Sequence, residues 1–294
     1  MSMRRRFAAD HSAWLLALLL PTTACEDSAR DRAERTQRDF GCAALPSREE
    51  LTSYVRSAPD SIEAGGLFHG QHEWAAVVDR HGRVCKVVEA DDTAGASWPG
   101  SRHIAMAKAY TANAFSTDRA PMSTARLYTD AQPGGALYGA AAGNPFDPDC
   151  LGERKGIGRV CGGTIVFGGG LPLYDEQGQV VGGLGVSGDT PCADHEVAKV
   201  IRAMAGLTPP GGNHVDDIVY AVDEPASPYT HPVCVNTYRN GVALGSPPPH
   251  PTYGFVPAPS RPDSALVDTL RTGAVVVDTI TPEAAALDTT PPRP

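Results

Sequence analysis

Two glycine-dense runs, placed one after the other, constrain this chain more than any other feature. The first is Gly162-Gly163-Thr164-Ile165-Val166-Phe167-Gly168-Gly169-Gly170-Leu171-Pro172. The second is Gly178-Gln179-Val180-Val181-Gly182-Gly183-Leu184-Gly185-Val186-Ser187-Gly188. Their β-branched and aromatic residues read as strand, Gly-Pro turn, strand, tight turn, and a closing strand that leads into a helix starting near Pro191. Glycine weakens a strand interior, so this much dilution marks backbone that a ligand or another chain segment approaches closely. The runs therefore mark a pocket wall or a packing surface. They do not name a reaction.

The remaining elements are easier to read. Ser47 caps a helix and Glu50, three residues on, completes a capping box; Pro59 is expected to stop that helix near Ala58. Residues 73–79 and 84–89 form a hairpin around a His81-Gly82 turn. Ser101 to Phe115 reads as a helix with Ile104, Ala107, Thr111 and Ala114 on one small-residue face, able to lie close against a sheet. A last helix, Ala193 to Ala205, carries an apolar stripe of Val197, Val200, Ile201 and Met204. Beyond Gly206 the chain turns proline-rich and reads as an extension ordered in part at most.

The N-terminus reads as a targeting segment (residues 1–24). Arg4, Arg5 and Arg6 precede a short apolar stretch, Ala13 to Leu20, that is too short to span a bilayer. Small residues before Cys25 resemble a lipobox, with Thr22 where leucine is usual, so lipidation at Cys25 and ordinary cleavage nearby both stand. Residues 25–44 read as a charged tether. An exported, periplasmic or outer-surface protein follows, touching the membrane only through that anchor. The net charge of −9 excludes the basic face that nucleic acid requires.

Cysteine usage agrees with export. Of 7 cysteines, setting Cys25 aside leaves six: Cys42, Cys85, Cys150, Cys161, Cys192 and Cys234. An even set in an exported chain points to disulfides, and Cys150 with Cys161 closes the shortest loop. A zinc site lacks the paired Cys-x-x-Cys spacing.

Several motifs look catalytic and fail on context. Gly183-Leu184-Gly185-Val186-Ser187-Gly188 matches the dinucleotide pattern, but no second parallel strand and no acidic residue about 20 positions on follow it. Ser187 is no nucleophile elbow, because Asp189 stands where glycine is required. What survives is a helix start near Pro191 whose free N–H groups suit a carboxylate. His103 could point into the helix–sheet seam, and His195 lies in the first turn of the last helix.

Taken in order, four segments resemble the haem-binding, haem-degrading GlcG/HbpS-like family. They are Ile104 to Ala112, Gln132 to Gly139, Phe167 to Leu173, and Val181 to Gly188 with Asp194. The likeness covers about residues 51–207, and a domain over 45–207 followed by the 208–294 extension is the expected organisation. It implies an α/β domain of the α+β type: one antiparallel five-stranded sheet with helices packed on it, often in a homo-oligomer. It also implies haem as cofactor, or a small anionic ligand. Gly185, Ser187, Gly188, Lys108, Thr190 and Asp194 match motif positions, while His103 and His195 are neighbours with the chemistry to ligate haem iron. An enzyme acting on haem or a small carboxylate, and a structural oligomer without catalysis, are the alternatives.

Overall fold

A computed structural model describes residues 41–91, 97–152, 154–222 and 224–248. The targeting segment, the lipidation candidate Cys25 and the chain after residue 248 lie outside the described residues.

Helix α1 (Arg48–Ser61) opens on the capping box: Ser47 Oγ accepts from Glu50 N at 3.2 Å, and Ser47 N donates to Glu50 Oε2 at 2.8 Å. Pro59 does not stop α1. It sits in the last turn, and the helix ends three residues later than the sequence suggests, at an extended Ile62.

The hairpin of β1 (Trp74–Asp79) and β2 (Val84–Glu89) forms as the sequence indicates. Helix α2 (Ser101–Phe115) follows, then a long irregular stretch, then β3 (Gly170–Tyr174) and β4 (Val180–Ser187). These strands make one antiparallel sheet in the order β2-β1-β4-β3. The described sheet has four strands, not five. The segment Gly162–Phe167 makes only a single bridge, Gly162 to Phe146, and Ile165 N is taken by Thr111 Oγ1 at 3.0 Å instead of a ladder partner. Nor is Gly170–Pro172 a turn; Pro172 lies inside β3, opposite Gly183. A proline with no N–H is tolerated there because β3 is an edge strand.

Period-two alternation in β4 explains its glycines. Leu184 and Val186 point to one face, into a core with Leu51 and Val55 of α1 and with Ala193, Val197 and Ile201 of α3 (Pro191–Met204). Gly183 and Gly185 face the other way, onto α2. A Cβ at Gly185 would lie 1.9 Å from Ala105 O, and one at Gly183 would lie 2.2 Å from Ala109 O. The approaching body is the helix backbone. Of the expected face of α2, Ala107 and Thr111 are buried, Ile104 is half-buried and Ala114 exposed; the buried surface is wider than that stripe and also takes in Ala105, Met106, Ala109 and Ala112. A second core, with Ala76, Val78, Val87 and the Cys150–Cys161 disulfide, fills this side.

The chain after α3 folds back over that helix. β5 (Val219–Tyr220) pairs in parallel with β6 (Thr230–His231), and β7 (Thr237–Arg239) pairs antiparallel with β8 (Val242–Gly245). Disulfides Cys42–Cys85 and Cys192–Cys234 join the N-terminal segment to β2 and the C-terminal segment to α3. Among the described residues no helix is long and apolar enough to cross a membrane.

Candidate functional site

Where β4 runs into α3, four buried ionisable side chains meet. Lys108, on α2, is fully buried. Its Nζ donates to Val186 O at 2.9 Å and makes a short ion pair with Asp194 Oδ2. It also lies 5.1 Å from the centre of the Phe167 ring. Gly169, with φ of +109°, passes so close to Lys108 Nζ that a side chain would collide with it. Asp194 sits in the first turn of α3, where negative charge complements the helix dipole. Its Oδ1 accepts from Asp189 N at 2.9 Å and from Gly188 N at 3.2 Å. Burial raises its carboxyl to about 6, against the pull of Lys108.

Asp189 holds a different contact set. Its carboxylate accepts from Leu67 N at 2.6 Å, Phe68 N at 2.7 Å and Gly70 N at 3.2 Å, which pins the loop before β1. The sequence suggests only a turn residue here; the clamp spans more than a hundred positions and leaves no local signal. Glu73, immediately before β1, is the fourth member. It is fully buried, and neither carboxyl oxygen has a hydrogen-bond partner among the described residues. Burial, then the charges of Asp194 and Asp189, push its carboxyl well above the ordinary range. Its surroundings thus favour the neutral acid at Glu73, while Asp194 has Lys108 as its ion-pair partner. An acidic residue heading a buried strand was the one clue to it in the sequence.

The other candidates scatter around this cluster. Thr190 is the N-cap of α3, with Oγ1 accepting from Ala193 N at 3.3 Å. Ser187 pairs with Trp74 in the sheet, Gly185 lies beneath α2, and Gly188 packs against His72 O and Glu73. His195 is fully buried, with Nε2 3.3 Å from Asp217 Oδ1. Burial would raise the Asp217 carboxyl, but His195 and Lys199 outweigh it and hold it far below the usual carboxylate range. His103 is half-buried in the first turns of α2, its ring 5.6 Å from that of Phe146. Burial, then the charge of Arg102, lower its pKa, so the ring is neutral near pH 7. Among the described residues the ring's aromatic neighbour is Phe146, and no hydrogen bond to its nitrogens is found. His103 and His195 share no partner, so the structure does not join them into one iron site. Another buried histidine, His231, has its pKa lowered to about 4 by burial.

On this geometry the comparisons can be placed. Residues 61–202 match the family model described as haem degrading protein HbpS-like. Over these residues the chain is similar to that family. Three solved structures resemble it. Protein ORFY of Klebsiella pneumoniae is 24% identical, with 57% of this chain and 90% of that one covered and a TM-score of 0.39. A structure described as a PduOC:heme complex is 24% identical, covering 55% and 93%, with a TM-score of 0.39. HbpS itself is 23% identical, covering 54% and 89%, with a TM-score of 0.36. No curated protein matches the chain.

Proposed function

We propose that the segment similar to that family binds haem or a small anionic ligand, with the start of α2 as the ligand-facing region. The observation that carries this reading is His103. Its imidazole is half-buried, and its lowered pKa favours the neutral form, which has a lone pair to give to iron. The His103 ring lies beside the Phe146 ring, an aromatic face that suits a flat apolar ligand. Trp98, five residues before His103 in the chain, is half-exposed and packs edge-on against Phe68 at 6.0 Å. The family supports haem as the ligand. His195 fits less well, because the C-terminal segment encloses it. Lys108, Asp194 and Glu73 are also fully enclosed, which favours binding over catalysis by these groups.

The test is a haem titration of the full chain followed by its Soret band. We expect saturable binding, and His103→Ala should shift or abolish the band while His195→Ala preserves it. An unchanged spectrum in His103→Ala would place the iron elsewhere.

The proposal extends to location and assembly. Three disulfides in the described residues belong to an oxidising compartment, so export is the consistent setting. Lipidation at Cys25 then makes the protein partition with membranes, and Cys25→Ser should release it to the soluble fraction. A wild-type protein already fully soluble after processing would sink the anchor. Self-association, suggested by the family, is measurable by light scattering.

A further inference from the structure

The Cys192–Cys234 disulfide differs from the other two in its company. The sulfurs of Cys192 and Cys234 and a ring nitrogen of His231 all lie within 4.8 Å of one another. One other such group occurs among the described residues, Cys42, Asp79 and Cys85. There the carboxylate is already committed: Asp79 binds the Arg83 side chain and accepts from the backbone N–H groups of His81 and Arg83. His231 is less occupied. Its Nδ1 lies 2.7 Å from Pro232 O, and its Nε2 receives only a long contact, 3.4 Å, from Gly168 N. With Nδ1 donating to a carbonyl, the ring is a neutral tautomer with a lone pair to give.

We propose that Cys192, Cys234 and His231 form a redox-gated site for a thiophilic cation such as Zn²⁺. In the oxidised protein the disulfide ties the segment around β6 to the start of α3 and consumes both sulfurs. A dithiol reductant attacks the S–S bond through its thiolate. It leaves as a cyclic disulfide, carrying away the two electrons' worth of oxidation, and the protein gains two thiols. Metal binding then displaces both S–H protons to solvent, and two thiolates and one imidazole become ligands. That is three protein donors with the fourth tetrahedral position left for water or substrate.

Local structure favours the thiolates. Cys192 lies in the first turn of α3, where the helix dipole stabilises a sulfur anion, and Cys192 N already approaches the Cys234 sulfur at 3.2 Å. Cys192 is fully buried, but Cys234 is half-exposed and the neighbouring Pro232 is exposed, which gives a cation a way in. The Cys150–Cys161 disulfide belongs to neither group of potential metal ligands and should stay a plain crosslink.

The experiment uses the full chain, reduced anaerobically with a dithiol, then freed of it, and titrated with Co²⁺ as the probe. We expect one equivalent to give a thiolate-to-cobalt charge-transfer band in the reduced protein and no band in the oxidised protein. Zn²⁺ should bleach the band by competition. His231→Ala should lose the separate, visible d–d bands of tetrahedral Co²⁺. Because variants can misfold, the wild-type protein supplies a second readout. Alkylation of the reduced chain with and without Zn²⁺, read cysteine by cysteine by mass spectrometry, should show protection of Cys192 and Cys234 alone. Equal alkylation of every cysteine in both conditions, or protection centred on Cys42 and Cys85, overturns the proposal.

Discussion

At the scale of single residues, Glu73 has the largest consequence for pH. The fold keeps its carboxyl protonated, while an unfolded chain releases that proton above about pH 4.3. From there upward the native state binds more protons than the unfolded one, so stability falls as pH rises, until Glu73 itself ionises. Asp194 adds the same sign up to about 6. Glu73→Gln keeps the shape and removes the proton. Melting temperatures compared at pH 5 and pH 8 should therefore differ less in the variant than in the parent; an equal pH dependence would show that Glu73 is ionised in the fold. The sequence offered one clue, an acidic residue at the head of the 73–79 strand run; only the three-dimensional meeting with Asp189 and Asp194 makes it a buried acid. Asp194 and Lys108 were legible as motif positions, but their pairing required knowing that α2 crosses β4.

At the scale of elements, the hairpin, the capping box of α1 and the span of α2 were legible, because turn chemistry, capping spacing and helix propensity are local. The face of α2 was legible only in part: Ala107 and Thr111 are buried as expected, Ala114 is not. A helix rich in alanine has little hydrophobic contrast, so several stripes fit the period and the choice falls to the partner. That partner is a strand that meets α2 with Gly183 and Gly185. Gly185→Ala places a methyl group against Ala105 O, a backbone atom of α2 that cannot rotate away. We expect a loss of about 3 kcal/mol or more, at or beyond the upper end for overpacked cores, measured by urea denaturation. A near-neutral Gly185→Ala would mean that α2 can lift off the sheet. The fifth strand was overread for a related reason. Residues 164–167 have strand composition, but they lie where Thr111 of α2 takes an amide the ladder would need.

At the scale of the whole molecule, the feature with the widest reach is the polar face of α3. Arg202 makes a doubly hydrogen-bonded pair with Asp216 and also binds Asn213. Lys199 contacts Glu196, Asp217 and Asn240 at 2.7, 2.9 and 2.8 Å. Glu196 in turn accepts from Asn240 N. Composition after Gly206 pointed to loose chain, because the residues that fasten it are single, widely spaced and polar, and no periodic pattern announces them. A polypeptide cut after Leu207 would leave His195, Glu196, Lys199 and Arg202 without these partners and would lose the Cys192–Cys234 crosslink. We expect such a fragment to lose its cooperative thermal transition by circular dichroism, while a fragment ending at residue 248 keeps it. A truncated form that melts like the parent would contradict this. For anyone expressing this protein in pieces, the workable end of the unit is therefore set by the last hydrogen bonds to a helix, some forty residues past the point where a family alignment stops.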